Sequence, residues 1–214
     1  MTVVIALTYV GGAVVASDSR RMDRNVQRSL FVASEHFPKV FRRDWDHPNN
    51  PPGAVVRLVI GGIAGQVMNG DRRLTSEIEN ACSRPRSRIS LVHDLCQKLS
   101  DQTVNGWIVQ NAGIDVVLVA TPNLDYVGNP EIVPIHKAPT QTNAQQVTLT
   151  TRDRYAIGSG AQAINGWLNQ QQWSTRSDAM NIARTAVERA IAWSNSPVGC
   201  GGCGGDVCLE MWPT

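Results

Sequence analysis

The sequence predicts an α+β fold, a four-layer αββα sandwich of two antiparallel sheets flanked by helix pairs. Three observations lead there. The element order reads strands, two helices, strands, two helices and a last strand. The first strand, Val3 to Leu7, is apolar at both alternating sets of positions, so both of its faces are buried. Each helix candidate buries one apolar stripe, which a sheet face can cover. There is no internal repeat, and one domain over residues 1–214 is expected.

Val3 to Leu7 and Ala13 to Ser17 are strands around a Gly11–Gly12 turn. Ser19 to Glu35 is polar and aperiodic, a loop or irregular hairpin. Phe37 to Phe41 is a short strand with Lys39 inside it. Arg42 to Gly53 reads as a loop from its prolines and asparagines. Ala54 to Ile60 is the next strand, running into a glycine turn at Gly61 to Gly65. Gln66 to Cys82 is a helix ended by Pro85, and Ser90 to Val104 a second helix capped by Ser90.

Ile114 to Ala120 is a strong strand; Tyr126 to Pro134 and Val147 to Thr151 are weaker ones. Arg154 to Gly160 is a strand that ends in a Gly-Ser-Gly turn. Ala161 to Gln172 and Ser177 to Trp193 are the last two helices, the second with Ser174 and Thr175 as caps and Asp178 in its first turn. Cys200 to Gly205 is a turn, and Asp206 to Met211 the closing strand.

Charge and composition exclude several classes of function. A formal net charge of +2 is too small to argue for nucleic acid or an anionic membrane. No apolar run approaches the roughly 20 residues of a membrane span. The N-terminus lacks the basic region of a signal peptide, so the cytoplasm is the expected compartment. The five cysteines are an odd number and are expected to be reduced thiols. Cys200 and Cys203 have CxxC spacing, but no histidine lies close by, so neither a metal nor another cofactor is expected. The four histidines are scattered and suggest no site.

The stretch that organises the chain is its start, MTVVIALTYVGGAVVASDSR. Removal of Met1, which a small following residue permits, would give Thr2 a free α-amine next to its hydroxyl. An N-terminal threonine can be a nucleophile whose own amine is the base. Lysine occurs only at positions 39, 98 and 137, so Lys39 inside an apolar strand points to a specific role. The bland readings are an edge-strand lysine, a turn aspartate at Asp18, and a Ser159 that merely caps the third helix.

Several motifs in order now resemble one family. MTVVIALTYVGGAVVASDSR, PKVF, GGIAGQ and YAIGSGAQA are similar to segments of the proteasome β-type subunits and their bacterial relatives, which are N-terminal nucleophile hydrolases. The resemblance covers nearly the whole chain. It implies a threonine-type endopeptidase that cleaves peptides or unfolded protein inside a homo-oligomeric ring or related assembly, with a separate ATP-dependent unfoldase as a further partner. No nucleic-acid or membrane partner is expected, from the net charge and the lack of a long apolar run.

Residue by residue, the resemblance implies Thr2 as nucleophile, with Lys39 beside it and Asp18 holding Lys39. Gly65 offers its N–H to the oxyanion, and Ser159 completes the hydrogen bonding around the amine. Ile63, Val67 and Met22 line the substrate pocket, which then suits an apolar or small residue. Three departures stand out. Asn195 takes the place of the family's aspartate after the fourth helix, the loop from Arg42 to Gly53 is longer, and CGGCGG is unusual. The alternatives are a catalytically inactive shell or scaffold subunit of the same fold, a non-peptidase amidohydrolase of the wider class, and a metal-binding or redox module built on CGGC.

Overall fold

The computed structural model describes residues 2–24, 30–46, 55–69, 72–83, 87–100, 112–124, 128–199 and 201–212. Two antiparallel sheets carry the fold. The first contains β1 (Val4–Tyr9), β2 (Gly12–Asp18), β12 (Arg154–Ile157) and β13 (Val207–Met211), in the order β12-β1-β2-β13. The second contains β5 (Val40–Asp46), β6 (Val55–Gly65), β9 (Ile114–Ala120), β10 (Glu131–Lys137) and the short β11 (Gln145–Gln146), in the order β11-β10-β9-β6-β5. β3 (Arg21–Arg24) pairs with β4 (Leu30–Ser34), and β7 (Met68–Asn69) with β8 (Arg72–Arg73). The helices are α1 (Leu74–Cys82), α2 (Arg88–Lys98), α3 (Ala161–Leu168) and α4 (Arg176–Ser194).

Alternation along β1 decides what packs where. Val3, Ile5 and Leu7 face α3 and α4, in one cluster with Ile164, Leu168, Ala183 and Val187. Val4 and Ala6 face the other way and join Leu58, Ile60, Val117 and Val119 of the second sheet. The opposite face of that sheet supplies Val59, Ile63, Val116 and Leu118 to a third cluster with Leu74, Ile78, Leu91 and Leu95 of α1 and α2. Expectation and structure agree on β1, β2, β9 and the closing strand.

α4 can lie close on β1 and β2 because its buried stripe is mostly alanine: Ala179, Ala183, Ala186 and Ala190, with Val187. The Thr175 hydroxyl accepts from the Asp178 amide at its start. At α2 the cap is Ser87 rather than Ser90. Ser90 is the third helical residue and closes a reciprocal capping box with Ser87.

Several expected boundaries change. Ser19 to Glu35 contains the β3–β4 hairpin, with a register shift between Arg21 and Met22. The strand expected at Phe37 to Phe41 starts only at Val40 and continues to Asp46, into the stretch read as a loop, because Arg42 to Asp44 pair with Leu58 to Ile60. The remainder of that loop, residues 47–53, lies outside the described residues.

Gly61 to Gly65 is strand, not turn. A Cβ at Gly62 would sit 2.5 Å from Val4 Cγ1, and one at Gly61 2.5 Å from Phe41 Cζ and from the Val117 carbonyl oxygen. Close approach on both faces, rather than a change of direction, demands these glycines. The helix expected from Gln66 begins only at Leu74, because β7 and β8 take the first part.

Later in the chain, Tyr126 and Val127 of the strand expected to Pro134 lie outside the described residues and β10 runs on to Lys137, while the strand expected at Val147 to Thr151 is replaced by the two-residue β11. α3 stops at Leu168, short of Gln172. Residues 101–104, at the end of the expected second helix, lie outside the described residues. No helix among the described residues is long and apolar enough to cross a membrane.

Candidate active site around Thr2 and the buried Lys39–Asp18 pair

Thr2 sits just before β1 and is almost entirely enclosed. Both of its neighbouring peptide groups are tied down. The Thr2 amide donates to Ser159 Oγ at 3.4 Å, and the Thr2 carbonyl accepts from the Gly160 amide at 3.1 Å. Gly158 makes this close approach possible. Its φ is +86°, and a Cβ there would lie 2.2 Å from the Thr2 carbonyl oxygen. Ser159 does not cap α3, because the capping residue is Gly160 and no side chain bonds the first turn.

Asp18, the last residue of β2, is fully buried and uses both carboxylate oxygens. Oδ1 accepts from the Val3 amide at 2.9 Å. Oδ2 accepts from Lys39 Nζ at 2.9 Å and from the Gly204 amide at 3.1 Å. One carboxylate therefore joins the residue after Thr2, the buried lysine and the loop before β13. Lys39 is 1% exposed, and its carbonyl accepts from the Ile63 amide at 2.9 Å. Burial pushes the Lys39 ammonium below its usual value of 10.5, and the Asp18 carboxylate opposes that shift.

Gly65 ends β6 in an exposed position with φ +90°, where a Cβ would meet the Gly113 carbonyl oxygen at 2.4 Å. The preceding Ala64 lies close to Gly158, where an added Cβ would be 3.1 Å from Ala64 Cβ, so the end of β6 runs beside Thr2. Ile63 and Val67 belong to the cluster beneath α1 and α2, with Phe37; Ile63 is fully enclosed. Met22 is half-buried on β3, opposite Val32.

Asn195 is engaged elsewhere than by hydrogen bonds to the others. It caps the C-terminus of α4, and its Oδ1 accepts from Arg20 Nη1 at 3.3 Å. Among the described residues, none of its hydrogen bonds reaches Thr2, Asp18, Lys39 or Ser159.

Sequence reasoning passed over Arg20 and Gly204. Arg20 lies two residues after Asp18, and Gly204 sits in the glycine-rich CGGCGG, so the only available signal was proximity to residues already singled out. Cys203 is fully buried, and a Cβ at Gly160 would lie 2.8 Å from its Sγ. Cys200 lies outside the described residues. No group of three or more metal-ligating side chains occurs among the described residues. A cavity of about 290 Å³ between residues 147–151, β12 and α3 contains none of the candidate residues.

No family model matches the chain, and no curated protein matches it. Solved structures do. A eukaryotic HslV from Trypanosoma brucei is 15% identical with a TM-score of 0.60, and the match covers 98% of each chain. A mutant of Anbu from a Hyphomicrobium species is 15% identical with a TM-score of 0.64, covering 99% of this chain and 82% of that one. At that identity the likeness establishes the fold and not the chemistry, and it supports the proteasome β-type resemblance read from the sequence.

Proposed function

We propose that the chain is a threonine-type endopeptidase subunit. In this reading it is one domain over residues 1–214, built in four αββα layers, and it works in the cytoplasm within a self-compartmentalised homo-oligomer. The three apolar clusters support the layering. The observation that carries the function is the enclosed Lys39 ammonium. It has three donors, and among the described residues its one hydrogen-bond acceptor is Asp18, on the carboxylate that also holds Val3. A buried cation favours a further anionic or polar partner, and in this reading a deprotonating Thr2 hydroxyl takes that role.

Cleavage of the Met1–Thr2 bond turns the Thr2 amide nitrogen into an α-amine, held by Ser159 Oγ. With an ordinary pKa of about 7.7–8.0, that amine takes the Thr2 hydroxyl proton near neutral pH. Lys39 favours the alkoxide electrostatically. The alkoxide adds to the scissile carbonyl carbon, and the Gly65 N–H stabilises the resulting oxyanion. Collapse breaks the C–N bond, and the leaving amine takes the proton from the Thr2 ammonium. Water, deprotonated by the same amine, then hydrolyses the ester. In this reading an apolar or small substrate side chain is received next to Met22 and against the apolar layer that holds Ile63 and Val67. A separate unfoldase would deliver folded substrates.

Three measurements test this together: the intact mass, the peptidase activity of Thr2→Ala, and the site of adduct formation with a peptide epoxyketone. The expected results are loss of Met1, an inactive variant and an adduct on Thr2. Full activity in Thr2→Ala would sink the mechanism. A second reading, a non-catalytic shell subunit, is favoured by the engagement of Asn195 with Arg20 rather than with Ser159. Complete retention of Met1 in the purified assembly decides for it.

A further inference from the structure

Arg20 is the most heavily engaged side chain near the site, and the proposed chemistry does not use it. Its Nε donates to both Glu35 carboxylate oxygens, at 3.2 and 3.0 Å. Its Nη1 donates to three acceptors: Asn195 Oδ1 at 3.3 Å, the Gly201 carbonyl at 3.4 Å and the Cys203 carbonyl at 3.2 Å. One guanidinium thus joins the residue after the β3–β4 hairpin, the end of α4 and residues 201–203.

The same loop is held from two other directions. The Gly204 carbonyl accepts from the Ser19 and Arg20 amides at 3.2 and 2.8 Å. The Cys203 amide donates to Ser194 Oγ at 2.9 Å, and the Gly201 amide to the Ser194 carbonyl at 2.8 Å. With both flanks fixed, the Gly204 amide points at Asp18 Oδ2. A Cβ at Gly204 would lie 2.2 Å from Arg20 Cζ, so a side chain there would displace the guanidinium. The glycine-rich loop and the arginine are fitted to each other.

We propose that Arg20 is a positioning residue: it clamps loop 201–205 so that the Gly204 amide fixes Asp18, and through Asp18 holds Lys39. The loop then has a function that neither metal binding nor redox chemistry supplies. A guanidinium suits the task because its planar fork reaches several acceptors at once, which a lysine ammonium cannot do in the same geometry. The loop reaches the Asp18–Lys39 pair through the Gly204 amide on Asp18 Oδ2, and burial is what lowers the Lys39 pKa. Releasing the loop admits water and returns the Lys39 titration toward its ordinary range.

The consequence for catalysis rests on the peptidase reading, whereas the effect on Lys39 does not. The test therefore uses two readouts on Arg20→Ala, Arg20→Lys and Gly204→Ala. The first is the Lys39 titration midpoint, followed by NMR with 13Cε-labelled lysine; only three lysines need assignment. The second is kcat and KM on a fluorogenic peptide. Each variant is expected to titrate at higher pH than the wild type, with kcat down by about 10²-fold and KM little changed. Folded Arg20→Ala or Gly204→Ala protein with an unchanged midpoint would overturn the clamp. If Arg20→Ala does not fold, Arg20→Lys is judged by the same criterion. Absence of peptidase activity in the wild type would remove the proposed function but leave the midpoint readout, and so the clamp, decided on its own.

Discussion

Lys39 Nζ and Asp18 Oδ2 lie 2.9 Å apart, with the two side chains 1% and 0% exposed. A pair this deep contributes little net stability over an apolar pair of the same shape, yet losing one member leaves a charge stranded. Asp18→Asn keeps the shape and strands Lys39. It should cost about 3–5 kcal/mol in urea unfolding. A loss below about 1 kcal/mol would show that water reaches the pair.

Lys39 should titrate below 10.5, because desolvation of the ammonium outweighs the attraction of Asp18. The sign of its effect on stability follows. Between the folded midpoint and 10.5 the unfolded chain binds more protons than the folded one, so this lysine makes stability rise with pH in that window. Below the folded midpoint the full cost of burying the charge is present. NMR titration of the labelled lysines checks the direction, and a Lys39 midpoint at or above 10.5 would refute it.

Gly158→Ala should destabilise the chain by about 1–3 kcal/mol in thermal or chemical unfolding. Its φ of +86° disfavours any side chain, and the new methyl group would collide with the Thr2 carbonyl. The variant should also weaken any Thr2-dependent activity, since the collision displaces Thr2 itself. Unchanged stability would mean that Thr2 is not held against this turn.

Ser17→Ala should leave stability unchanged or raise it by about 1 kcal/mol. The Ser17 hydroxyl oxygen is buried and has no hydrogen-bond partner among the described residues. Its removal takes away an uncompensated desolvation cost beside Asp18. A clear fall in the unfolding midpoint would reveal a hydrogen bond to water at that place.

Local pattern determined much of this chain. The two-faced apolar strand at Val3 to Leu7, the β-branched run at Ile114 to Ala120 and the alanine stripe of α4 are legible because each is set by periodicity within one element. Lys39 stands out as one of three lysines and the one inside an apolar strand; Asp18, Gly65 and Ser159 could be singled out only through the resemblance of their motifs, in order, to one family.

The tertiary structure decided what depends on partners distant in sequence. Gly61 and Gly62 look like a turn until Val4, Phe41 and Val117 close on them from both sides. Arg42 to Asp44 look like loop until β6 offers them a ladder. Asn195 reads from the sequence as the replacement for a site aspartate, and only the packed chain brings it the Arg20 guanidinium, 175 residues away, as a hydrogen-bond donor. The physical reason is the same in each case. A residue's periodicity is written in its neighbours along the chain, whereas the close approach of another backbone, or competition for one acceptor, exists only once distant segments have been packed together.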